Sequence, residues 1–528
     1  MARLSEGSVR KILNKLDKIA DIGADGRPIV ALERATFVFL ILMAAAMPHS
    51  IAATQIAWLT GMLLWFIRLT IKPRPALPRT PLDKAIWIFF GLTVISSLLS
   101  YAPDISIDKL RGAALFPIVY FVVANVRTGR AARLLITVLI VSCMINVIWT
   151  PVERLLGRGV EIHGIAPDSP LAKALLYEGD TLLKANGKKI TDPDQLRTEF
   201  ETNEITRVDF YRPDFYFYVD IKRADLLPGD NTNQRLGIES WKKSRNWRSA
   251  GFYGHYTTYS EVLQLILSLT LGLWLALPDK KSRLSLILIV TVAAMCLALL
   301  LTVTRASQGA FAVSALLMVS LSANRKTVLA FLAILIPLGA IGVYILQQSR
   351  GVGFFDQNDT STTWRETVYG EGVKLLTDNP RNLAVGVGMD SIKRYWQEWN
   401  LFEGGKLPIG HFHSTYLQIA VERGLPALAA WLFFIWVYLK MLRRLLKSNQ
   451  LSLWQDRGIV LGTLGGAIGF FISGLVHYNY GDQEVAMVFY FLMGIAASYY
   501  REKVVTPIGA PVEEEPREEL YLADTAPA

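Results

Sequence analysis

The stretch Ile409–Ala429, IGHFHSTYLQIAVERGLPALA, contains His413 and Ser414, then nine residues, then Gly424. It follows a long polar segment and leads into a strongly apolar one, so His413 stands where the chain enters a membrane. Imidazole is the side chain whose ordinary pKa suits proton transfer near neutrality. Ser414 and Glu422 are close enough in sequence to orient it or a bound hydroxyl. Arginines occur at comparable places: Arg248, with His255, ahead of one apolar run; Arg305 in the joint TVTRASQ; and Arg365 beside Trp364. Taken alone, a guanidinium there is more often an anchor for phospholipid headgroups than a catalytic group, and a Trp-Arg pair can be simply an interface belt. His411 and His413, at i and i+2, do not share a helical face and no carboxylate cluster completes them, so neither a metal ion nor a cofactor is expected. His477, in HYNYGDQ, lies at another joint and is a candidate for the same cavity, where Asp482 and Glu484 read equally well as a solvated rim. His49 and His163 stand outside the pattern.

These residues need a scaffold, and composition says which kind. Of 528 residues 52% are hydrophobic, and the mean hydropathy is +0.31. Apolar runs long enough to cross a hydrocarbon core recur throughout. The fold class expected is an all-α polytopic membrane protein of about 12 transmembrane helices. The formal net charge is +10, but the positive charge lies mostly in short loops between apolar runs. There it reports orientation rather than nucleic-acid binding. Cys143 and Cys296 both fall inside apolar runs, which excludes a disulfide framework.

Taken in order, residues 1–30 form a basic amphipathic segment suited to an anionic membrane surface. Spans one to five fill 31–150, with the fourth at about 107–125. An outer insert occupies 151–240. Spans six to nine fill 241–346, the ninth at about 327–346. A large outer loop covers 347–424, spans ten to twelve cover 425–500, and an acidic tail of 501–528 reads as disordered. The basic short loops all fall on one side, which puts both termini in the cytoplasm and the His413 stretch outside.

The insert has its own signature. GRGVEIHGIAPDSPLAKALLYEGDTLLKANGKKITDPDQL reads as a strand, a helix start at Ser169, a strand after Gly179-Asp180 and a tight turn at Asn186-Gly187. It resembles a PDZ domain of the kind found in bacterial periplasmic proteases, a small α+β domain. That resemblance implies binding of a protein C-terminus by strand addition, with the groove near Leu156, Gly157, Arg158 and Gly159. The alternative is a packing module, or a groove that is blocked.

The membrane part resembles the superfamily of O-antigen ligases, Wzy-like polymerases and bacterial O-oligosaccharyltransferases. His413-Ser414-x9-Gly424 matches its H-[NSQ]-x9-G pattern. Trp364-Arg365 followed by Asp378-Asn379-Pro380 and Gly386-Val387-Gly388 resembles its outer loop, and Arg248-Ser249-Ala250-Gly251-Phe252 its entry to span six. Where the family often has S-R-G, this chain has Ser307-Gln308-Gly309, and its arginine is Arg305. The resemblance implies a metal-independent enzyme of the bacterial inner membrane with its site on the periplasmic side. It would transfer a glycan from undecaprenyl diphosphate to a hydroxyl of lipid A core, of another glycan repeat or of a protein. In that chemistry Arg248, Arg365 and Arg305 would hold the diphosphate, His413 would be the base, and Ser414, Glu422, Gly424 and His255 would support them. A transporter or flippase, or a scaffold that recruits partners through the insert, is the reading from another class.

Overall fold

The computed structural model describes residues 6–23, 26–212, 215–245, 247–322, 360–407, 409–448 and 451–500. Six helices within them are long and apolar enough to cross a membrane: Arg27–Ala46, Ile51–Thr70, Gly129–Leu156, Tyr256–Ala276, Arg283–Leu301 and Thr415–Lys447. Four more, Asp83–Leu98, Arg305–Ser322, Trp454–Ser473 and Gln483–Tyr500, coincide with expected spans but fall below that combination of length and apolarity. The expected ninth span and the acidic tail lie outside the described residues. The run expected as a single fourth span is instead two short helices, Pro103–Ala113 and Pro117–Asn125. Pro117 is the cause: it cannot donate to the preceding turn, so it starts a helix rather than continuing one.

The sequence sets the helix limits in the ordinary way. Ser50 and Thr128 cap Ile51–Thr70 and Gly129–Leu156, accepting from the backbone N–H of Ala53 at 3.3 Å and of Ala131 at 3.1 Å. The outward side of Ile51–Thr70 presents Ile56, Leu59, Leu63 and Phe66, each more than half exposed, at helical spacing. An apolar stripe turned outward is what a bilayer solvates.

Two helices at the centre of the bundle touch backbone to backbone. A Cβ on Gly272 would stand 2.4 Å from the Gly462 nitrogen, and one on Gly462 2.5 Å from the Leu269 Cα. Small residues allow Tyr256–Ala276 and Trp454–Ser473 to approach this closely, the usual way of packing helices in lipid. The contact fixes the register of Glu261 on the first against Ser473 on the second.

Residues 158–244 form a separate antiparallel sheet domain. Its strands are β1 (Arg158–Ile165), β2 (Thr181–Ala185), β3 (Lys188–Lys189), β4 (Ile205–Arg212), β5 (Phe215–Lys222) and β6 (Ile238–Ser244). The order is β5-β4-β2-β1-β6, with β3 hairpinned onto β2 through Asn186 (φ 48°) and Gly187 (φ 80°). Val160, Ile162, Leu182, Leu196, Phe200 and Val208 make its core. The insert is thus flanked differently from the 151–240 division: the long helix runs to Leu156, and β6 carries the sheet to Ser244. β1 has no free edge, because β2 pairs with it on one side and β6 on the other. The four residues expected near the groove, Leu156, Gly157, Arg158 and Gly159, stand at the junction of the long helix and β1. Leu156 ends a helix, Gly157 (φ 73°) turns the chain, Gly159 would strike the Leu182 carbonyl if it carried a Cβ, and Arg158 stacks 4.5 Å over Trp247. The strands at the ends of the sheet are β5 and β6.

Candidate active site

A cavity of about 1100 Å³ opens among the ends of the helices, lined by Arg248, His255, Arg305, Arg365, His413 and Glu422 together with residues not anticipated. These six come from four separate stretches, and each is held by its own local structure.

Arg248 lies in a strap between the sheet domain and the Tyr256–Ala276 helix. The N–H of Ser249 donates to the Leu301 carbonyl at 3.0 Å, and that of Phe252 to Asn146 Oδ1 at 3.1 Å. Arg154 grips the strap from the other side, donating to the carbonyls of Arg245 (2.9 Å) and Trp247. The Arg248 guanidinium then sits 4.6 Å over the Tyr256 ring. His255 caps the Tyr256–Ala276 helix, its Nδ1 accepting from Thr257 N at 3.2 Å. Burial, offset in part by Asp482, holds its pKa below the ordinary histidine value. Arg305 is the first residue of the Arg305–Ser322 helix.

Arg365 lies on the Thr360–Thr377 helix, next to Trp364, whose ring meets His413 edge-on at 4.3 Å. Tyr369, on the same helix, donates its hydroxyl to the His413 carbonyl at 3.2 Å. His413 adopts φ 48°, a left-handed conformation uncommon outside glycine. Burial lowers its pKa to about 2, helped by His411 and Arg365. Burial and Lys393 lower that of His411 to about 4, and His411 Nδ1 accepts the His413 N–H at 3.2 Å. Ser414 is not part of the cavity wall. It caps the Thr415–Lys447 helix, accepting from Leu417 N at 3.4 Å. Gly424 breaks that helix at φ 82°, ψ 168°, and its role is steric: a Cβ there would lie 2.6 Å from the Ala384 carbonyl oxygen. Among the described residues no three His, Cys, Asp or Glu side chains come together as a metal-binding group.

Several lining residues escaped the sequence reading. Asp390 pairs with Lys109 at 2.9 Å and Lys393 at 3.0 Å. Burial alone would raise its pKa, but these two lysines bring it below the ordinary value. Arg423, 4% exposed, stacks over Phe89 and Tyr480. Glu261 is 1% exposed inside an otherwise apolar helix. Its neighbour across the cavity wall is His477, whose Nδ1 lies 2.8 Å from Glu261 Oε1. A lone carboxylate in an apolar run was the signal for Glu261, since such residues are expensive in a membrane unless they do something.

The described residues form a helical bundle with apolar sides turned outward and a cavity rich in guanidinium and imidazole groups. Residues 289–432 match the Wzy_C family, described as O-antigen ligase, and the match includes Arg305, Arg365 and His413. The likeness to O-antigen ligases lies in this stretch. No curated protein matches the chain.

Proposed function

We propose that the protein is a metal-independent glycosyltransferase of the bacterial inner membrane that transfers a glycan from undecaprenyl diphosphate to an acceptor hydroxyl. The observation that carries this reading is the convergence of Arg248, Arg305, Arg365 and His413, from four stretches of chain, on one cavity. In this reading the cavity faces the periplasm and both termini lie in the cytoplasm.

The chemistry follows from those residue types. The hydroxyl oxygen attacks the anomeric carbon, and the bond to the lipid diphosphate breaks in a single displacement with inversion. Charge grows on the departing diphosphate, where guanidinium groups, always protonated and able to bind two oxygens at once, stabilise it. An imidazole of the cavity wall takes the hydroxyl proton, a step worth roughly 10²–10⁴-fold, and His413 is the residue the sequence pattern assigns to it. Glu422 and Tyr256 shape the wall.

The acceptor is lipid A core, a second lipid-linked repeat or a protein. The sheet domain, with its likeness to PDZ domains, favours a protein partner; an added peptide strand would have to pair with β5 or β6. The test is transfer by purified protein, using lipid-linked oligosaccharide extracted from the producing cell and measuring release of undecaprenyl diphosphate. Release that depends on the protein supports the reading; none would point to transport or scaffolding. Deletion of the gene then names the acceptor by what accumulates: undecorated core, single repeats or unglycosylated protein.

A further inference from the structure

We propose that His477, oriented by the buried carboxylate of Glu261, is the group that takes the acceptor proton in this cavity. The inference rests on the glycosyl-transfer reading above and reassigns one step within it.

The Glu261 carboxylate is held by donors from three elements. Ser473 Oγ donates to Oε2 at 2.7 Å, Ser307 Oγ to Oε1 at 3.2 Å and Asn479 Nδ2 to Oε2 at 3.4 Å. With hydroxyl and amide donors turned toward it, the carboxylate acts as an acceptor throughout, so the 2.8 Å contact is a donation from His477 Nδ1–H. That fixes the tautomer and leaves Nε2 as the nitrogen able to accept a proton, on a ring that lines the cavity. The backbone is as well fixed as the ring. The His477 N–H donates to the Ser473 carbonyl at 2.9 Å, and its own carbonyl accepts from Thr415 N at 3.0 Å and Thr415 Oγ1 at 3.1 Å. Thr415 is two residues beyond His413, so both histidines are tied to one frame.

Four histidines line this cavity, and among the described residues the other three show no such arrangement. His255 uses Nδ1 to cap its helix. His411 uses Nδ1 to accept the His413 N–H. His413 has aromatic neighbours, Trp364 and His411, and among the described residues no carboxylate is hydrogen-bonded to its ring. Set beside Arg365, it meets a repelling charge when it takes a proton, whereas an imidazolium at His477 forms against a carboxylate already in place. His413 is left as an uncharged hydrogen-bonding partner near the donor.

The step balances as follows. The acceptor O–H gives its proton to His477 Nε2 while the oxygen forms the bond to the anomeric carbon. The carbon–oxygen bond to the diphosphate breaks, and its electron pair leaves on the diphosphate. The imidazolium, paired with Glu261, then releases the proton to solvent in the cavity. Glu261 is a positioning residue; His477 is the catalytic one.

The test uses the full-length purified protein and the lipid-linked oligosaccharide assay above. His477→Asn keeps an N–H where Nδ1 was and removes Nε2; turnover should fall about 100-fold or more, with the KM for the donor within about threefold. His477→Ala should regain at least about tenfold when imidazole is added, and His413→Ala should not. Glu261→Gln should lower kcat without moving KM. Turnover by His477→Asn at the wild-type rate, or imidazole rescue of His413→Ala in place of His477→Ala, overturns the assignment. Absence of release by the wild-type protein overturns the glycosyl-transfer reading instead.

Discussion

The backbone N–H of Asp390 donates to Glu422 Oε1 at 3.0 Å. The same oxygen accepts Gln418 Nε2 at 2.9 Å, and Gln418 Oε1 in turn accepts the N–H of Phe412 at 2.8 Å. One buried carboxylate therefore ties the loop bearing Asp390 to the stretch bearing His411 and His413. Glu422→Ala removes the acceptor from both donors at once. A buried donor left without a partner costs about 1–3 kcal/mol, so this variant should melt lower in detergent and lose transfer together. Glu422→Gln keeps an oxygen at that place and should cost less. Equal melting temperatures for the alanine variant and the wild type would count against the tie.

Gly386 and Gly424 face each other across the same junction. Gly386 has φ 72°, ψ −175° and Gly424 φ 82°, ψ 168°, both in a region essentially reserved for glycine. A Cβ on Gly386 would stand 2.3 Å from the Glu422 carbonyl carbon, and one on Gly424 2.6 Å from the Ala384 oxygen. Either alanine substitution should cost about 1–3 kcal/mol in backbone strain, with the clash adding to it. Both should lower the melting temperature more than Gly309→Ala, where a Cβ meets nothing within 4 Å. The last glycine of the H-S-x9-G pattern thus sits where two stretches of backbone meet closely.

Much of this was legible beforehand, and what was missed has physical reasons. Helices such as Ile51–Thr70 and Tyr256–Ala276 follow from apolar length, and the Asn186-Gly187 turn from its tolerance of positive φ. The break at Pro117 was hidden because hydropathy averages over a proline that backbone geometry cannot ignore. β6, with Glu239, Lys242 and Lys243 exposed, lacks the alternation of a buried strand and is defined by its pairing to β1 nearly eighty residues earlier in the chain. Glu261 and His477 are 216 residues apart; no local pattern joins a carboxylate in one helix to a histidine in a distant joint. Spacing likewise carries no information on whether Arg248 and Arg365 share a cavity.

The histidines make a prediction about pH. Burial takes His411 from 6.5 to about 4 and His413 from 6.5 to about 2. Between the ordinary value and the lowered one, the unfolded chain binds a proton that the folded chain refuses. Stability is therefore fully present above about pH 6.5 and is lost as pH falls toward 4 for His411 and toward 2 for His413. Each contributes at most about 1.4 kcal/mol per pH unit; His255, also lowered by burial, adds in the same direction. The melting temperature should fall from pH 7 to pH 5, and His411→Asn should flatten that fall. An unchanged slope in the variant would show that His411 takes up its proton as readily folded as unfolded.

Arg365 gives the sharpest test of how the diphosphate is held. Its helix is locked against the His413 stretch by the Trp364 ring contact and by the Tyr369 hydroxyl, so the guanidinium has a defined place in the cavity wall. Arg365→Lys keeps the charge but replaces a planar fork with a point charge that cannot bind two phosphate oxygens in one plane. If the arginine holds the leaving diphosphate as charge develops on it, kcat should fall far more than the retained charge suggests, by about 10²-fold, comparable to removing a transition-state donor elsewhere. Should it only anchor a lipid headgroup, lysine would serve as well and transfer would stay near normal. Measuring kcat and the KM for the donor separately decides between them: a fall in kcat marks contact with the leaving group, and a rise in KM alone marks binding shared by ground and transition states.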